Sequence, residues 1–245
     1  MNVLGIDIGG SAVKGAPIDT GKGKLLQERF RIETPEPVTP RRMAGIVAEI
    51  AENFQWRGPI GIGFPGVVRD GVIMTAANLH PGFIGCDLSK LVGQRTRSRV
   101  GVINDADAAG LAEMRFGVGK KRKGVVMLFT LGTGVGSALF YHGVLVPNTE
   151  LGHLPHKGRA FEKYMAASVR KERNLTWPHW SKRVNQYLAL IEKLFSPDLI
   201  ILGGGVSSRS EKFFPFLKTQ APVVAAKLHN NAGIVGAALA GLPKS

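Results

Sequence analysis

The chain has 245 residues, 44% of them hydrophobic and 20% charged, which is the ordinary balance of a folded globular protein. Its formal net charge of +14 attracts nucleic acids, acidic membranes or phosphate polymers, although a merely basic surface explains it as simply. No apolar run approaches the roughly 20 residues of a membrane helix, and the single cysteine, Cys86, excludes an intramolecular disulfide and a cysteine-based metal site. With no signal peptide expected at the start, these features predict a cytoplasmic protein.

The first half of the chain alternates strand and helix patterns. A linker with three prolines, Thr34–Pro40, leads into a helix that has Thr39 as its N-cap and Pro40 at its first position. The predicted strands are Val3–Ile8, Val13–Ile18, Lys24–Ile32, Pro59–Phe64 and Val100–Ile103, and the predicted helices are 40–54 and Ala106–Phe116.

The second half repeats this alternation after a basic loop, Gly117–Gly124. Its predicted strands are Val125–Thr130, Ser137–Tyr141, Val144–Val146 and Leu199–Leu202, with helices at 184–195 and Asn231–Gly241. Each half opens with an apolar strand, a glycine-rich turn and a hairpin. This faint duplication predicts an α/β protein with two similar lobes and a site between them.

Three glycine-rich turns follow predicted strands: Gly9-Gly10-Ser11, Gly132-Thr133-Gly134 and Gly203-Gly204-Gly205. Without Cβ atoms, such turns let backbone N–H groups approach an anion closely. One such turn is usually only a turn, but three at strand ends favour a nucleotide or polyphosphate site. The chain lacks the Gly-x-x-x-x-Gly-Lys-[Ser/Thr] sequence of a P-loop protein, and Gly132-x-Gly134-x-Gly136 is not the dinucleotide-binding fingerprint, because residue 137 is serine.

Acidic residues stand at two strand ends. Asp7 ends an apolar strand, where it either caps the turn or orders water around Mg²⁺ bound to a phosphate donor. Asn104-Asp105 lies where a strand ends and a helix starts, which is the usual ligand edge of an open α/β sheet and equally a position for a helix cap. We expect Asp107, in the following helix, to be solvated.

The segment Glu150-Leu151-Gly152-His153 places a carboxylate and an imidazole close together. Such groups suit recognition of neighbouring sugar hydroxyls, and Glu162 is a weaker candidate for a third polar contact. A zinc site is the alternative interpretation of this segment, because His156 follows His153 closely. However, no cysteine is near either histidine. We therefore expect no zinc.

The order of these motifs resembles the ROK family of sugar kinases, and most closely its polyphosphate glucokinase branch. The resemblance covers nearly the whole chain, and its most specific parts are the Asn-Asp and Gly-Thr-Gly motifs in that order. The matching segments are Asp7–Lys14, Gly63–Gly66, Asn104–Gly110, Leu131–Gly136, Glu150–His153 and Leu202–Ser207.

The resemblance implies an α/β, two-lobe actin-like (ribonuclease H-like) ATPase fold with the active site in the interlobe cleft. It places an N-terminal lobe at 1–108, joined by the C-terminal helix 231–245, and a C-terminal lobe at 109–230. The implied activity is a Mg²⁺-dependent transfer of a phosphoryl group to the 6-hydroxyl of glucose, with mannose as a related acceptor. The family's zinc cysteines after Glu-x-Gly-His are missing here, so packing must hold that loop.

The resemblance also assigns roles by position, with Asp105 as the general base and Asp7 near Mg²⁺, through water or a phosphate. The residues implied to hold the sugar are Gly66, Asn78, Asn104, Asp105, Glu150, His153 and Glu162. Those implied to hold the phosphates are Gly9, Gly10, Ser11, Lys14, Thr133 and Gly134, with Gly204 and Gly205 beside an adenosine when the donor is ATP.

The positive charge of the chain is the basis for predicting its phosphate donor. A linear polyphosphate extends beyond a compact triphosphate pocket, and the basic run of the 117–124 loop offers it a track: Lys120, Lys121, Arg122 and Lys123. A solvated loop is the simpler interpretation of that run. We expect inorganic polyphosphate as a donor, alongside ATP or without it, no membrane or nucleic-acid partner, and leave a homodimer open.

Two alternatives remain at this point. The first is a strictly ATP-dependent ROK hexokinase for another sugar, since ATP needs no extended basic surface. The second, of another class, is a basic nucleic-acid-binding protein with a degenerate kinase fold, which the +14 charge would suit. The intact Asp105 and the absence of an aromatic and basic recognition module argue against the second.

Overall fold

The chain forms two compact units, one made of Met1–Ala112 with Asn231–Ser245 (unit 1) and the other of Glu113–Asn230 (unit 2). The computed structural model describes residues 1–76 and 79–243. Within those residues, no helix is long and apolar enough to cross a lipid bilayer.

Unit 1 is built on a six-stranded sheet. Its strands and those of a small separate hairpin are β1 (Asn2–Ile8), β2 (Ala12–Asp19), β3 (Lys24–Leu25), β4 (Phe30–Glu33), β5 (Ile60–Phe64), β6 (Val68–Arg69), β7 (Val72–Ile73) and β8 (Val100–Asn104). Its helices are α1 (Pro40–Asn53), α2 (Leu88–Thr96) and the start of α3 (Asp105–Phe116), with a 3₁₀ turn at Pro81–Phe83. The order is β3-β2-β1-β5-β8, with β4 also on β2. Strands β1, β5 and β8 are parallel, so their carboxyl ends share one edge.

Helix α1 begins as the sequence predicts. The Thr39 side chain accepts a hydrogen bond from the Arg42 N–H at 3.3 Å, and Pro40 occupies the first turn, where its missing N–H is no loss. The apolar stripe of α1 is buried in the core of unit 1, with Met43, Val47 and Ile50 inaccessible to solvent.

One strand expectation for unit 1 is wrong, and one of its helices was not predicted. The continuous strand Lys24–Ile32 is broken into β3 and β4, because the polar stretch Gln27–Arg29 between them is exposed. Helix α2 was not predicted, since its short apolar pattern spans only nine residues. Its N-cap is Asp87, whose carboxylate accepts a hydrogen bond from the Lys90 N–H at 2.9 Å.

Unit 2 contains a five-stranded sheet. Its strands, including a separate two-stranded hairpin, are β9 (Val125–Leu131), β10 (Val135–Tyr141), β11 (Val144–Val146), β12 (Pro155–His156), β13 (Arg159–Ala160), β14 (Leu199–Gly203) and β15 (Val223–Ala225). Its α-helices are α4 (Glu162–Met165), α5 (Ala167–Glu172) and α6 (Trp177–Phe195), and 3₁₀ helices lie at Leu151–His153, Gly205–Lys212, Phe214–Phe216 and His229–Asn231. Helix α6 begins earlier than predicted, and it buries Trp180 and Tyr187 in the core.

The two sheets have the same order of strands. In unit 2 the order is β11-β10-β9-β14-β15, with an antiparallel hairpin of β9 and β10 and parallel β9, β14 and β15. Unit 1 has the same arrangement with β3-β2-β1-β5-β8. The duplication predicted from the glycine-rich turns is therefore present in the topology of the two units.

A row of three glycines crosses the sheet of unit 1. Gly5 on β1 pairs in register with Gly61 on β5, which pairs with Gly101 on β8. A Cβ atom on any of them would overlap a backbone carbonyl of helix α7 (Ala232–Ala240). The carbonyls belong to Ile234, Ala237 and Ala240. The helix therefore lies directly on the sheet backbone, and it joins unit 1 although it follows unit 2 in sequence.

Replacing the central glycine of this row tests its importance. Gly61→Ala places a methyl group against the Ala237 carbonyl, so we expect it to destabilise the protein by about 1–3 kcal/mol or more, as overpacking does. The measurement is urea unfolding of the purified variant. Gly45→Ala, within α1, is the control. The nearest atom to its added Cβ is Arg95 Nη2 at 3.7 Å, so the substitution should stabilise the helix by about 0.5–1 kcal/mol. Equal stability of the two variants would contradict a tight contact at Gly61.

Candidate active site

The first glycine-rich turn joins β1 to β2 in unit 1. The Gly9 N–H donates to the Ala12 carbonyl at 3.0 Å, and the Thr34 hydroxyl donates to the Gly9 carbonyl at 2.9 Å. A Cβ atom on Gly10 would meet nothing within 4 Å, and Gly10 and Ser11 are exposed. The turn is thus fixed at its base and open at its tip, which leaves backbone groups for an anion.

Asp7 lies beside this turn, opposite Lys14 in the register of β1 and β2. Burial raises the pKa of the Asp7 carboxyl, and the positive charge of Lys14 opposes that shift. Gly233 on α7 approaches the carboxylate so closely that a Cβ atom there would lie 3.0 Å from Asp7 Cγ. A half-buried carboxylate beside an open glycine-rich turn fits the way Mg²⁺ is held in proteins, by one or two carboxylates and the phosphates of the substrate.

Asn104 and Asp105 stand at the junction of β8 and α3. Asn104 is buried, and its side-chain oxygen accepts from the N–H groups of Ala106 at 2.9 Å and Asp107 at 3.0 Å. Its amide nitrogen donates to the Gly66 carbonyl at 3.1 Å. Asn104 is therefore the cap of α3, and it also ties the helix start to the turn after β5.

Asp105 is the first residue of α3 and is partly exposed. Its Oδ1 accepts from the Ala106 N–H at 2.8 Å, so one carboxylate oxygen is oriented by the backbone. Register along β1, β5 and β8 places Asp7, Gly63 and Ile103 in one row, so Asp105 and the Asp7 turn lie at the same edge of the sheet. Two groups predicted from separate motifs are thereby brought to one edge.

Three further residues of unit 1 had sequence expectations: Asp107, Gly66 and Asn78. Asp107 was expected to be solvated, but it is fully buried, because the α3 face that carries it packs inward. The Gly66 carbonyl accepts a hydrogen bond from the Asn104 amide, and its place in the predicted sugar pocket stays a prediction. Asn78, the other residue assigned to that pocket, lies outside the described residues.

In unit 2, Glu150, His153 and Glu162 come together. His153 Nε2 lies 4.0 Å from Glu162 Oε1, and the His153 N–H donates to the Glu150 carbonyl at 3.0 Å within a short 3₁₀ helix. The Ser137 hydroxyl accepts from the Leu151 N–H at 3.0 Å and holds this segment on β10. The three predicted sugar-contacting groups therefore form one cluster.

The electrostatics of this cluster differ from those of surface carboxylates. Burial raises the pKa of the Glu150 carboxyl, while His153 lowers it and the negative charge of Glu162 raises it further. Glu150 therefore titrates closer to neutral pH than an ordinary glutamate. A buried carboxylate accepts hydrogen bonds from hydroxyl groups strongly, since little water competes with them.

Glu162 also has a structural role that the sequence did not reveal. Its Oε2 accepts from the Val135 N–H at 3.1 Å, just after the second glycine-rich turn, and a Cβ atom on Gly134 would collide with the same oxygen. Lys163 pairs with the other oxygen at 3.4 Å. One carboxylate thus connects the predicted sugar-contacting cluster to the turn of Gly132 and Thr133.

The loop that follows His153 is held by aromatic packing. The His156 ring stacks on Phe161, with centroids 4.1 Å apart and planes at 23°, and it also contacts Tyr164 at 4.6 Å. Phe161 is buried in the core of unit 2. Aromatic packing therefore contributes to holding this segment in place.

The third glycine-rich turn lies against the second. Gly204 has φ of +78°, which only glycine adopts without strain, and a Cβ atom there would overlap the backbone of Leu131 at the end of β9. Because β9 and β14 are parallel neighbours, both turns open at the same edge of the sheet. Between them and α5 lies a cavity of about 520 Å³. It includes Gly132 and Thr133 on one side and Gly205 on the other.

The cavity also contains basic residues that the sequence analysis missed. Arg170, Lys171 and Arg209 line it, together with one carboxylate, Glu172. In the sequence, the mixed run around Arg170 looks like the solvated end of a helix, and no local pattern distinguishes it.

The predicted polyphosphate track lies at the other end of β9. Lys120, Lys121, Arg122 and Lys123 are exposed in the loop before this strand, whereas Gly132 follows it. Seven residues of extended strand separate the two ends by roughly 20 Å at about 3.3 Å a residue. The track stays a prediction, and only a long polyanion could reach both places.

Comparison with known proteins gives one consistent picture. A model of the ROK family matches residues 3–166. Polyphosphate glucokinase of Mycobacterium tuberculosis (strain H37Rv) is 47% identical over 97% of this chain and 90% of its own length, and that of Mycobacterium leprae is 45% identical over 97% and 74%.

Among solved structures, the inorganic polyphosphate/ATP-glucomannokinase of Arthrobacter sp. strain KM superposes with a TM-score of 0.93 at 45% identity and covers 97% of each chain. A ROK family glucokinase from Streptomyces griseus, in complex with glucose and AMPPNP, has a TM-score of 0.84 at 24% identity, covering 98% of this chain and 99% of its own, and supports the fold alone. The predicted α/β, actin-like fold class is thereby confirmed.

Proposed function

The chain belongs to the ROK family, and we propose that it is a glucokinase that transfers a phosphoryl group from inorganic polyphosphate, or from ATP, to the 6-hydroxyl of glucose. The observation that carries this proposal is the 47% identity, over 97% of the chain, to a protein named polyphosphate glucokinase. The proteins compared above are all kinases, so the nucleic-acid-binding alternative is set aside. A single cysteine and ordinary composition support a cytoplasmic location.

Asp105 is the general base of the proposed reaction. The 6-hydroxyl oxygen of the sugar attacks the terminal phosphorus of the donor, the bond from that phosphorus to the donor's next bridging oxygen breaks, and the hydroxyl proton passes to the Asp105 carboxylate. The backbone bond from Ala106 orients one carboxylate oxygen. Asn104 positions this aspartate by capping α3, so it acts through the backbone as well as beside the sugar.

The donor's terminal phosphates are assigned to the two open turns, Gly9–Ser11 and Gly132–Gly134. Mg²⁺, held through Asp7 and the phosphates, would supply charge neutralisation when bound. Lys14 lies opposite Asp7 in the hairpin and adds a positive charge beside the first turn. Phosphoryl transfer needs such positioning and charge balance more than covalent help from the protein.

The sugar's ring hydroxyls are assigned to the cluster of Glu150, His153 and Glu162. Mannose differs from glucose only at C2, so acceptance of mannose depends on how tightly Glu150 and His153 bind that hydroxyl. The likeness to a protein described as a glucomannokinase favours mannose as a second acceptor.

The role of Asp105 is tested by Asp105→Asn. The amide keeps the oxygen that accepts from Ala106 but cannot take the proton, so we expect kcat to fall about 10²–10⁴-fold while glucose affinity changes little. Turnover is measured by a coupled glucose 6-phosphate assay, and glucose binding by calorimetry. Glu52→Gln, on the exposed surface of α1, is the control. Turnover of Asp105→Asn close to that of the wild type would remove Asp105 from this role.

The donor is tested with nucleotide-free polyphosphate or ATP as the sole donor and glucose as the acceptor. We expect glucose 6-phosphate from polyphosphate, because the open turns and the +14 charge suit a polyanion. Omitting the sugar is the control for hydrolysis. If only ATP yields product, the chain is an ordinary ATP-dependent glucokinase.

A further inference from the structure

We propose that the cavity of unit 2 binds the inner phosphates of a polyphosphate donor, and that Arg170, stacked on Trp177, makes this cavity prefer polyphosphate to a nucleotide. The inference rests on the proposed kinase function and assigns the part of the site that chooses the donor. It differs from the track of Lys120–Lys123, which lies at the other end of β9.

The charge of the cavity suits a phosphate chain better than a nucleoside. Arg170, Lys171 and Arg209 line it against one carboxylate, Glu172. In the described part of the chain, no carboxylate lies within ion-pair distance of any of the three cations. Their charges therefore remain available to an anion that enters the cavity.

The stacking of Arg170 on Trp177 determines which chemical groups the apolar side of the cavity presents to a ligand. The guanidinium carbon lies 3.9 Å from the centre of the indole ring, and Nη1 donates to the Leu175 carbonyl at 3.3 Å. Phe213 packs nearly parallel to the same indole, at 16° and 6.1 Å. A nucleotide base in the cavity would meet the charged guanidinium instead of the indole face, whereas a phosphate would meet a cation that the indole and the Leu175 carbonyl hold in place.

The cavity is also connected to the turn that receives the terminal phosphates. The Ser168 N–H donates to the Gly132 carbonyl at 3.0 Å, and its hydroxyl donates to the Thr133 carbonyl at 2.8 Å. Ser168 and Arg170 belong to the same short helix, α5. A phosphate chain that leaves the Gly132–Thr133 turn into the cavity therefore meets the α5 cations next, with Arg209 contributed by the 3₁₀ helix Gly205–Lys212.

Chain length separates this site from the basic loop before β9. Three linked phosphates can extend from the turn into the adjoining cavity, but they are too short to span the roughly 20 Å of β9. The cavity cations should therefore act on short and long polyphosphate alike, while Lys120–Lys123 can act only on long chains.

The test compares Arg170→Ala, Arg170→Lys and the control Arg173→Ala. Arg173 is exposed at the end of α5 and does not line the cavity. With glucose saturating, KM and kcat are measured for tripolyphosphate, long-chain polyphosphate and ATP. For Arg170→Ala we expect the KM of both polyphosphates to rise about tenfold or more, as for the loss of a charge-assisted hydrogen bond, with the KM of ATP unchanged or lower. Arg170→Lys should lie between, because it keeps the charge but loses the planar fork, and Arg173→Ala should match the wild type.

An equal rise in KM for ATP and polyphosphate would overturn the proposal, because it would make Arg170 a general phosphate contact. An unchanged KM for tripolyphosphate would overturn it as well. Thermal unfolding and glucose binding of each variant show whether the fold is intact, and Arg170→Lys provides a second variant if Arg170→Ala does not fold.

Direct measurement of ligand binding distinguishes a failure of this inference from a failure of the proposed activity. Tripolyphosphate and a non-hydrolysable ATP analogue are titrated by calorimetry into the wild type and Arg170→Ala. If the wild type makes no glucose 6-phosphate from any donor, the proposed function fails. The inference then still stands if tripolyphosphate binding weakens about tenfold in Arg170→Ala while analogue binding does not, and it fails if tripolyphosphate does not bind the wild type.

Discussion

The contact between α7 and the glycine row is the constraint on which the rest of unit 1 depends. With side chains at Gly5, Gly61 and Gly101, α7 could not lie on the sheet, and the segment 231–243 would have no place in unit 1. The same helix packs Gly233 against the Asp7 carboxylate and Gly236 against the backbone of Ala108 in α3. One close helix–sheet contact therefore helps to fix both the aspartate beside the first glycine-rich turn and the helix that starts with Asp105.

The two units share one sheet topology but carry different groups at the strand ends. In unit 1 these ends carry Asp7 and Asp105, the carboxylates proposed to order a cation and to take a proton. In unit 2 the corresponding edge carries two glycine turns packed against each other, and the cations of α5 and the following segments surround the cavity beside them. Glu162 connects that edge to the Glu150 cluster, so the groups assigned to the donor and to the sugar share one carboxylate.

Local patterns predicted the parts of this structure that depend on neighbours in sequence. The N-cap of α1, the strand before Asn104 and the glycine-rich turns all follow from residue type and spacing, and the family motifs add the cluster of Glu150 and His153. What the sequence could not show depends on contacts between distant segments. The burial of Asp107, the bond from Val135 to Glu162 and the stack of Arg170 on Trp177 all arise from packing.

Beyond the glycine turns, a polyphosphate donor is proposed to be held by basic residues, so its affinity should depend more on salt concentration than the affinity of ATP does. Each phosphate neutralised by the protein adds a salt-sensitive contribution to affinity. We predict that the KM of polyphosphate rises more steeply with added KCl than that of ATP, with glucose saturating and Mg²⁺ constant. Equal slopes for the two donors, or a steeper slope for ATP, would contradict this account.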